Sequence, residues 1–313
     1  ALLHYLGPVL VARLRLLVVD EAHQVQFGRS FVDFRSLRQG ENRAARLEAF
    51  VTRLRVMSPD ARTVALSAVA RGAERDLAAW IAGPGSDPVG RSYRSTRQLI
   101  GRLLCRPNGT VSLEFDLLNG RRLELADSDQ RAFVPEPFPP MPRVTGPRHR
   151  GTMSGFVRAH AFWTAHQLAE AGKTVLISIA QRIDDAAAAL RDLIEVRWSS
   201  SFPSLDVTGL RERERQLFRN AVNAVADYCG PDSHEAFILE RGMVVHHGRL
   251  PMRVRRLLTQ LIRSGVARVV IATSTLTEGV NLPFDVVIVP SLFRFELQQG
   301  GWGIVPLPPA EFA

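Results

Sequence analysis

Apolar residues recur along this chain in two rhythms, and their alternation predicts its elements. Leu16-Leu17-Val18-Val19 is a four-residue apolar run closed by Asp20 and Glu21. Its length and uniformity predict a parallel strand over 15–20 that is buried on both faces. Leu47, Phe50, Val51, Leu54 and Met57 then recur at helical spacing until Ser58-Pro59 stops them, giving a helix over 41–57. A short strand follows over 63–67. Leu77, Trp80 and Ile81 share one face of a helix over 74–81, and Gly and Pro break the alternation across 83–90.

Residues 110–125 have a different rhythm. Val111, Leu113 and Phe115 alternate with polar residues, and Asn119-Gly120 separates them from a second run over 121–125. Asn and Gly both tolerate positive φ, so this pattern predicts a hairpin. Residues 135–150 are proline-rich without periodicity and predict a linker. Alternation resumes with a helix over 156–171, a strand over 174–179, and helices over 184–196 and 210–228. It continues with strand 243–246, helix 252–264, strand 268–272 and strand 285–290. Strands alternating with helices predict parallel βαβ units, and hence an α/β fold. The expected organisation is a first domain over 1–90, a hairpin and linker over 91–150, and a second domain over 151–313. The two α/β halves are expected to be versions of one fold.

Composition narrows the partners. The 313 residues carry 40 Lys and Arg against 31 Asp and Glu, a formal charge of +9. Fixed cations favour a polyanionic partner because they release counterions from phosphates. Lys173 is the only lysine, and the other basic residues are all Arg. No apolar run approaches the ~20 residues that a membrane-spanning helix needs. The two cysteines, Cys105 and Cys229, lie far apart without metal-ligand spacing, so a reduced cytoplasmic setting is expected. The sequence opens on Ala1 with no targeting signature, as an internal piece of a longer protein would.

The acids after the first strand carry the most chemistry. In open α/β sheets ligands sit beyond the carboxyl ends of strands, where Asp20 and Glu21 would emerge. Asp20 is a hard oxygen ligand suited to magnesium, and Glu21 is a candidate to orient or deprotonate an attacking water. Two acids alone are equally a charged turn closing an apolar strand. The full tetrapeptide Asp20-Glu21-Ala22-His23, however, resembles the box that names the DEAH and DExH helicases of superfamily two. Further resemblance follows in order. Leu66-Ser67-Ala68-Val69 is similar to the Ser-Ala-Thr motif but has Val69 where a hydroxyl is expected, so only Ser67 can make that motif's hydrogen bond. Leu176–Arg182 falls where the first strand of the family's second domain enters its loop. Val245-His246-His247-Gly248-Arg249-Leu250-Pro251 and Ala272-Thr273 through Leu282-Pro283 resemble motifs of the Ski-like branch.

This resemblance covers almost the whole chain and implies two RecA-like parallel-sheet domains, both incomplete, joined by the hairpin and Pro-rich linker. It implies ATP and magnesium as cofactors, with ATP bound between the domains. His23 and Ser67 would couple the nucleotide site to strand movement. Gly279 would allow close backbone approach to the nucleotide, with Glu278 and Asn281 at the domain interface. Thr273 would hold a backbone phosphate of the tracked strand. His247 would face nucleic acid or the other domain, and Arg182 and Arg249 are candidates for phosphate contacts or for solvated surface. Neighbouring residues on a strand point to opposite faces, so His246 and His247 are not expected to chelate one ion. The expected partner is single-stranded or partly duplex nucleic acid, DNA before RNA, with further domains of the parent chain.

Gly172-Lys173-Thr174 mimics the end of a phosphate-binding loop, but Gln167 stands where the first glycine belongs and the segment leads from helix into strand. Gly172 reads instead as a helix C-cap. With no other lysine, and with Pro309–Ala313 resembling the lead-in to an arginine-finger motif, the chain is expected to be truncated at both ends and inactive alone. The rival readings are a non-hydrolysing nucleic-acid clamp, for which a water-activating acid has no use, and a metal-dependent nuclease, for which other strand ends lack clustered acids.

Overall fold

The computed structural model describes residues 7–20, 22–25, 42–67, 74–89, 99–105, 111–118, 121–122, 141–142, 153–180, 182–273, 282–298 and 301–306. The chain is α/β and divides into two compact units, one of residues 1–93 with 293–313 and one of residues 94–292.

In the first unit, helix α1 (Gly7–Ala12) leads into strand β1 (Leu16–Val19) and a 3₁₀ turn (Ala22–Val25). Helix α2 (Arg43–Met57) starts at Asn42, whose side chain accepts from the Ala45 amide at 3.0 Å. It ends at Ser58, whose hydroxyl donates to the Val11 carbonyl at 2.7 Å and ties the helix end to α1. Strand β2 (Arg62–Ala65) pairs in parallel with β1, Val18 opposite Val64 and Val19 opposite Ala65. Helix α3 (Glu74–Ala82) is fastened to α2 by Arg55, which donates to the Trp80 carbonyl at 2.9 Å. Val19, Ala22, Val51 and Leu77 form the small core.

Contrary to the expectation of burial on both faces, β1 is buried on one face only. Leu16 and Val18 are 54% and 49% exposed. Among the described residues β1 pairs only with β2, and α2 and α3 cover the face that carries Leu17, Val19 and Ala65.

The second unit opens with an antiparallel sheet of β3 (Leu99–Cys105), β4 (Val111–Leu118) and β5 (Arg121–Arg122). Leu118 pairs with Arg121, so the hairpin closes where Asn119-Gly120 announced it, although those two residues lie outside the described ones. Helix α4 (Met153–Glu170) then ends at Gly172, with φ of 84° and the Lys173 amide donating back to the Leu168 carbonyl at 2.9 Å. That is a left-handed helix cap, which a glycine adopts at no steric cost.

Strand β6 (Val175–Ser178) follows, then helix α5 (Ile183–Leu193) running into a π-helical turn (Ile194–Trp198). Next come α6 (Glu212–Cys229), α7 (His234–Leu239), β7 (Met243–His246), α8 (Met252–Arg263), β8 (Val269–Ala272) and β9 (Val286–Ile288). The sheet order is β7-β8-β6-β9, with every pair parallel. Because strand side chains alternate, Val175, Ile177, Val245 and Ile271 pack with α4, α5 and the π turn. Leu176, Val244 and Val270 pack with α6 and α8 on the other face. Both faces are covered, as uniformly apolar strands require. The hairpin β10 (Phe293–Gln298) and β11 (Gly301–Pro306) is grouped with the first unit. Among the described residues no helix is long and apolar enough to cross a membrane.

Candidate functional site

The first unit brings two of its motif segments together through the backbone. β1 and β2 run side by side, so their carboxyl ends lie on one edge. There the Leu66 amide donates to the Val19 carbonyl at 2.8 Å, and the Ala22 amide donates to the Leu66 carbonyl at 2.8 Å. The Asp20–Ala22 turn is therefore stitched to the residue before Ser67. Ala22 is fully buried, which roots the turn in the core. Asp20 is exposed and Ser67 half-buried at the same edge. Asp20 offers hard carboxylate oxygens from a strand end open to solvent, and that donor set fits magnesium with its waters. His23 lies in the 3₁₀ turn. Glu21 lies outside the described residues.

In the second unit the carboxyl ends of β6, β7 and β8 also share one edge. The Ile179 amide donates to the Ala272 carbonyl at 2.8 Å, and the Thr273 amide reaches the His246 carbonyl at 3.4 Å. This gathers Thr273, His247, Arg249 and the loop that starts α5. Arg182 sits at the N-cap of α5 with φ of 57°, the single described non-glycine residue with positive φ. For a residue with a Cβ this conformation costs about 1 kcal/mol or more. Such strain gathers at functional loops.

The two arginines are not bare cations. Arg182 Nε lies 2.6 Å from Asp185 Oδ2, and Arg249 donates to both oxygens of Asp184, at 2.7 Å for Oδ1. All four side chains are substantially exposed. Exposed pairs of this kind add little to stability, so a phosphate can compete for the arginine. Half-buried Arg158 has its pKa lowered by burial, with Asp185 opposing and Arg182 adding, which marks a third guanidinium in this neighbourhood. The sequence pattern alone does not single out Asp184, Asp185 or Arg158. The two acids could have been found as the first-turn carboxylates of a helix that begins beside an arginine.

The histidines lie deeper than their motif suggested. His246 and His247 are 5% and 7% exposed. Burial lowers the pKa of His246 to about 4, with Arg255 and His247 adding to the shift. Burial also lowers that of His247, and Arg249 adds while Asp184 and Glu235 oppose. Both rings are thus neutral near pH 7. The edge that faces solvent is built by Thr273, Arg182 and Arg249 rather than by the His247 ring. Glu278, Gly279 and Asn281 lie outside the described residues.

No family model matches the chain. It is 39% identical over 75 residues to an ATP-dependent DNA helicase Hel308 of Caldivirga maquilingensis, covering 24% of this chain and 10% of that protein. It is 40% identical over 75 residues to the antiviral helicase SKI2 of Saccharomyces cerevisiae, covering 24% and 6%. A Hel308 of Thermoplasma volcanium aligns over 297 residues at 23% identity, covering 94% of this chain and 32% of that protein. The chain thus spans a third or less of the length of each of these relatives.

Proposed function

We propose, from its similarity to the Hel308 and SKI2 helicases, that the chain is a relative of the DExH helicases of superfamily two and forms part of an ATP-driven motor on nucleic acid. The parent protein would couple ATP hydrolysis to movement along single-stranded or partly duplex nucleic acid. DNA is the favoured polymer, in line with the Hel308 relatives, which are named as DNA helicases. The setting is the reduced cytoplasm, consistent with the free thiol of Cys229.

The observation that carries this reading is the pair of 2.8 Å backbone bonds that join Val19 and Ala22, the residues flanking Asp20-Glu21, to Leu66. A residue that holds a metal and one that relays its state must move together, and these bonds make the two segments one piece. In this reading Asp20 would hold magnesium, which would supply charge neutralisation for phosphoryl transfer. Glu21 orients the attacking water and takes its proton. His23 and Ser67 pass the change on. Glu278, Gly279 and Asn281 serve the nucleotide from the second domain. Thr273, Arg182 and Arg249 hold the strand by its phosphates, contacts that position without reading sequence. His247, buried beneath that edge, supports the loop.

The test is Glu21→Gln in the intact parent protein. ATP binding should survive, while turnover stimulated by single-stranded nucleic acid falls roughly 10²–10⁴-fold, the scale of general-base catalysis. Turnover that persists, or that falls only in step with ATP affinity, would remove Glu21 from the chemistry.

A further inference from the structure

Three side chains with metal-binding chemistry meet at the carboxyl edge of the second unit's sheet, each from a different element. Asp184 stands in the first turn of α5, Glu235 in the first turn of α7, and His247 directly after β7. One donor atom from each lies within 4.8 Å of the other two, and His247 Nε2 is 4.0 Å from Glu235 Oε1. The second observation is the histidine itself. Its side chain is 9% exposed, its Nε2 lies 4.0 Å from Glu235 Oε1, and neither ring nitrogen has a hydrogen-bond partner among the described residues. Buried polar atoms are ordinarily satisfied, so a ring with two idle nitrogens beside two acids lacks something.

We propose that Asp184, Glu235 and His247 bind a divalent transition-metal cation of the zinc class. An imidazole with two carboxylates is a mixed nitrogen and oxygen donor set, which suits zinc and its neighbours, whereas magnesium prefers all-oxygen octahedral surroundings. Metal bonds of about 2.0–2.2 Å put tetrahedral ligand atoms roughly 3.3 Å apart, so the side chains must close in by about 1 Å. The two carboxylates can do so by rotation. His247 is neutral near pH 7, so one of its nitrogens has a lone pair to give. Arg249 is the competitor, since it donates to both oxygens of Asp184. A carboxylate has about four acceptor positions, which leaves room for a metal bond beside that pair. The exposure of Asp184 leaves the fourth coordination position to water. An ion here would tie the starts of α5 and α7 to the loop that carries Arg249. The proposal does not depend on the ATP-driven reading.

The experiment is a calorimetric titration of the chelator-stripped 313-residue chain with zinc chloride in excess magnesium. A parallel cobalt titration is followed by visible d–d absorption. The expected result is saturable binding of a single ion per chain. Glu235→Gln and Asp184→Asn should each weaken it by about tenfold or more, since even outer-shell changes at metal sites cost that much. Both should also lose the cobalt spectrum. Neither residue belongs to the buried core, so both variants should keep the wild-type circular dichroism, and His247→Gln should agree with them if it folds. Cys229 is a free, half-buried thiol whose pKa is raised by burial and by Glu235, so Cys229→Ser is the control. Binding that vanishes with Cys229→Ser but survives Glu235→Gln overturns the proposal, and so does the absence of saturable binding.

Discussion

His246 shows how one residue couples fold to conditions. It closes β7 with its ring almost wholly buried and its Nδ1 without a hydrogen-bond partner among the described residues. Its folded pKa of about 4 lies below the 6.5 of a free histidine. Between those values the unfolded chain binds the proton and the folded chain does not, so stability falls as pH falls. The contribution is intact above pH 6.5 and lost by about pH 4, at most about 3 kcal/mol for a shift of this size. Urea unfolding from pH 7.5 to 4 should show that slope, and His246→Gln should flatten it. An unchanged slope would mean another group carries it. The motif made His246 and His247 visible in sequence as a pair facing opposite sides. Their depth was not visible, because a polar pair at a strand end reads as surface until the covering helices are known.

At the scale of elements, legibility followed local pattern. Strand β7 was read over its full length because Gly242 and Gly248 bracket a uniform apolar run. Helix α7 was missed because six residues are too few to show a 3.6-residue period. Strand β3 was missed because Gly101-Arg102 interrupts its apolar residues, at the place where the register shifts by a bulge. β10 could have been found: Phe293, Phe295 and Leu297 alternate strictly with Arg294, Glu296 and Gln298 before a Gly-Gly. The union of the start of α5 with the loop after β7 was beyond any local pattern, since Asp184 and Arg249 are 65 residues apart. That pair makes a prediction of its own. In metal-free buffer Asp184→Asn should free Arg249 and raise affinity for single strands, steepening the salt dependence by up to about one unit of slope. Arg249→Ala should weaken binding and flatten the slope. If neither moves the isotherms of a folded protein, the strand does not cross this edge.

For the whole molecule, the alternation of strands and helices announced an α/β chain with parallel sheets, and the structure has them in both units. The second unit carries a sheet covered on both faces, with Ile177, Val244 and Ile271 at its centre. The first unit leaves Leu16, Val18, Val64 and Leu66 exposed on one face of its β1–β2 pair. Apolar strands predicted burial on both faces because run length reports hydrophobicity and not which neighbours are present. Function was legible chiefly in the order of motifs, and the structure adds the stitch between Val19, Ala22 and Leu66. Under the proposed function such a core converts ATP hydrolysis into movement on a strand. The most direct test is strand displacement from a partly duplex DNA by the intact parent protein, followed by fluorescence. Displacement should require ATP with magnesium, fail with a non-hydrolysable analogue, and be abolished by Asp20→Ala while DNA binding persists. Displacement that proceeds without ATP, or tight binding with no dependence on ATP and no effect of Asp20→Ala on any step, would contradict the account and leave a passive clamp.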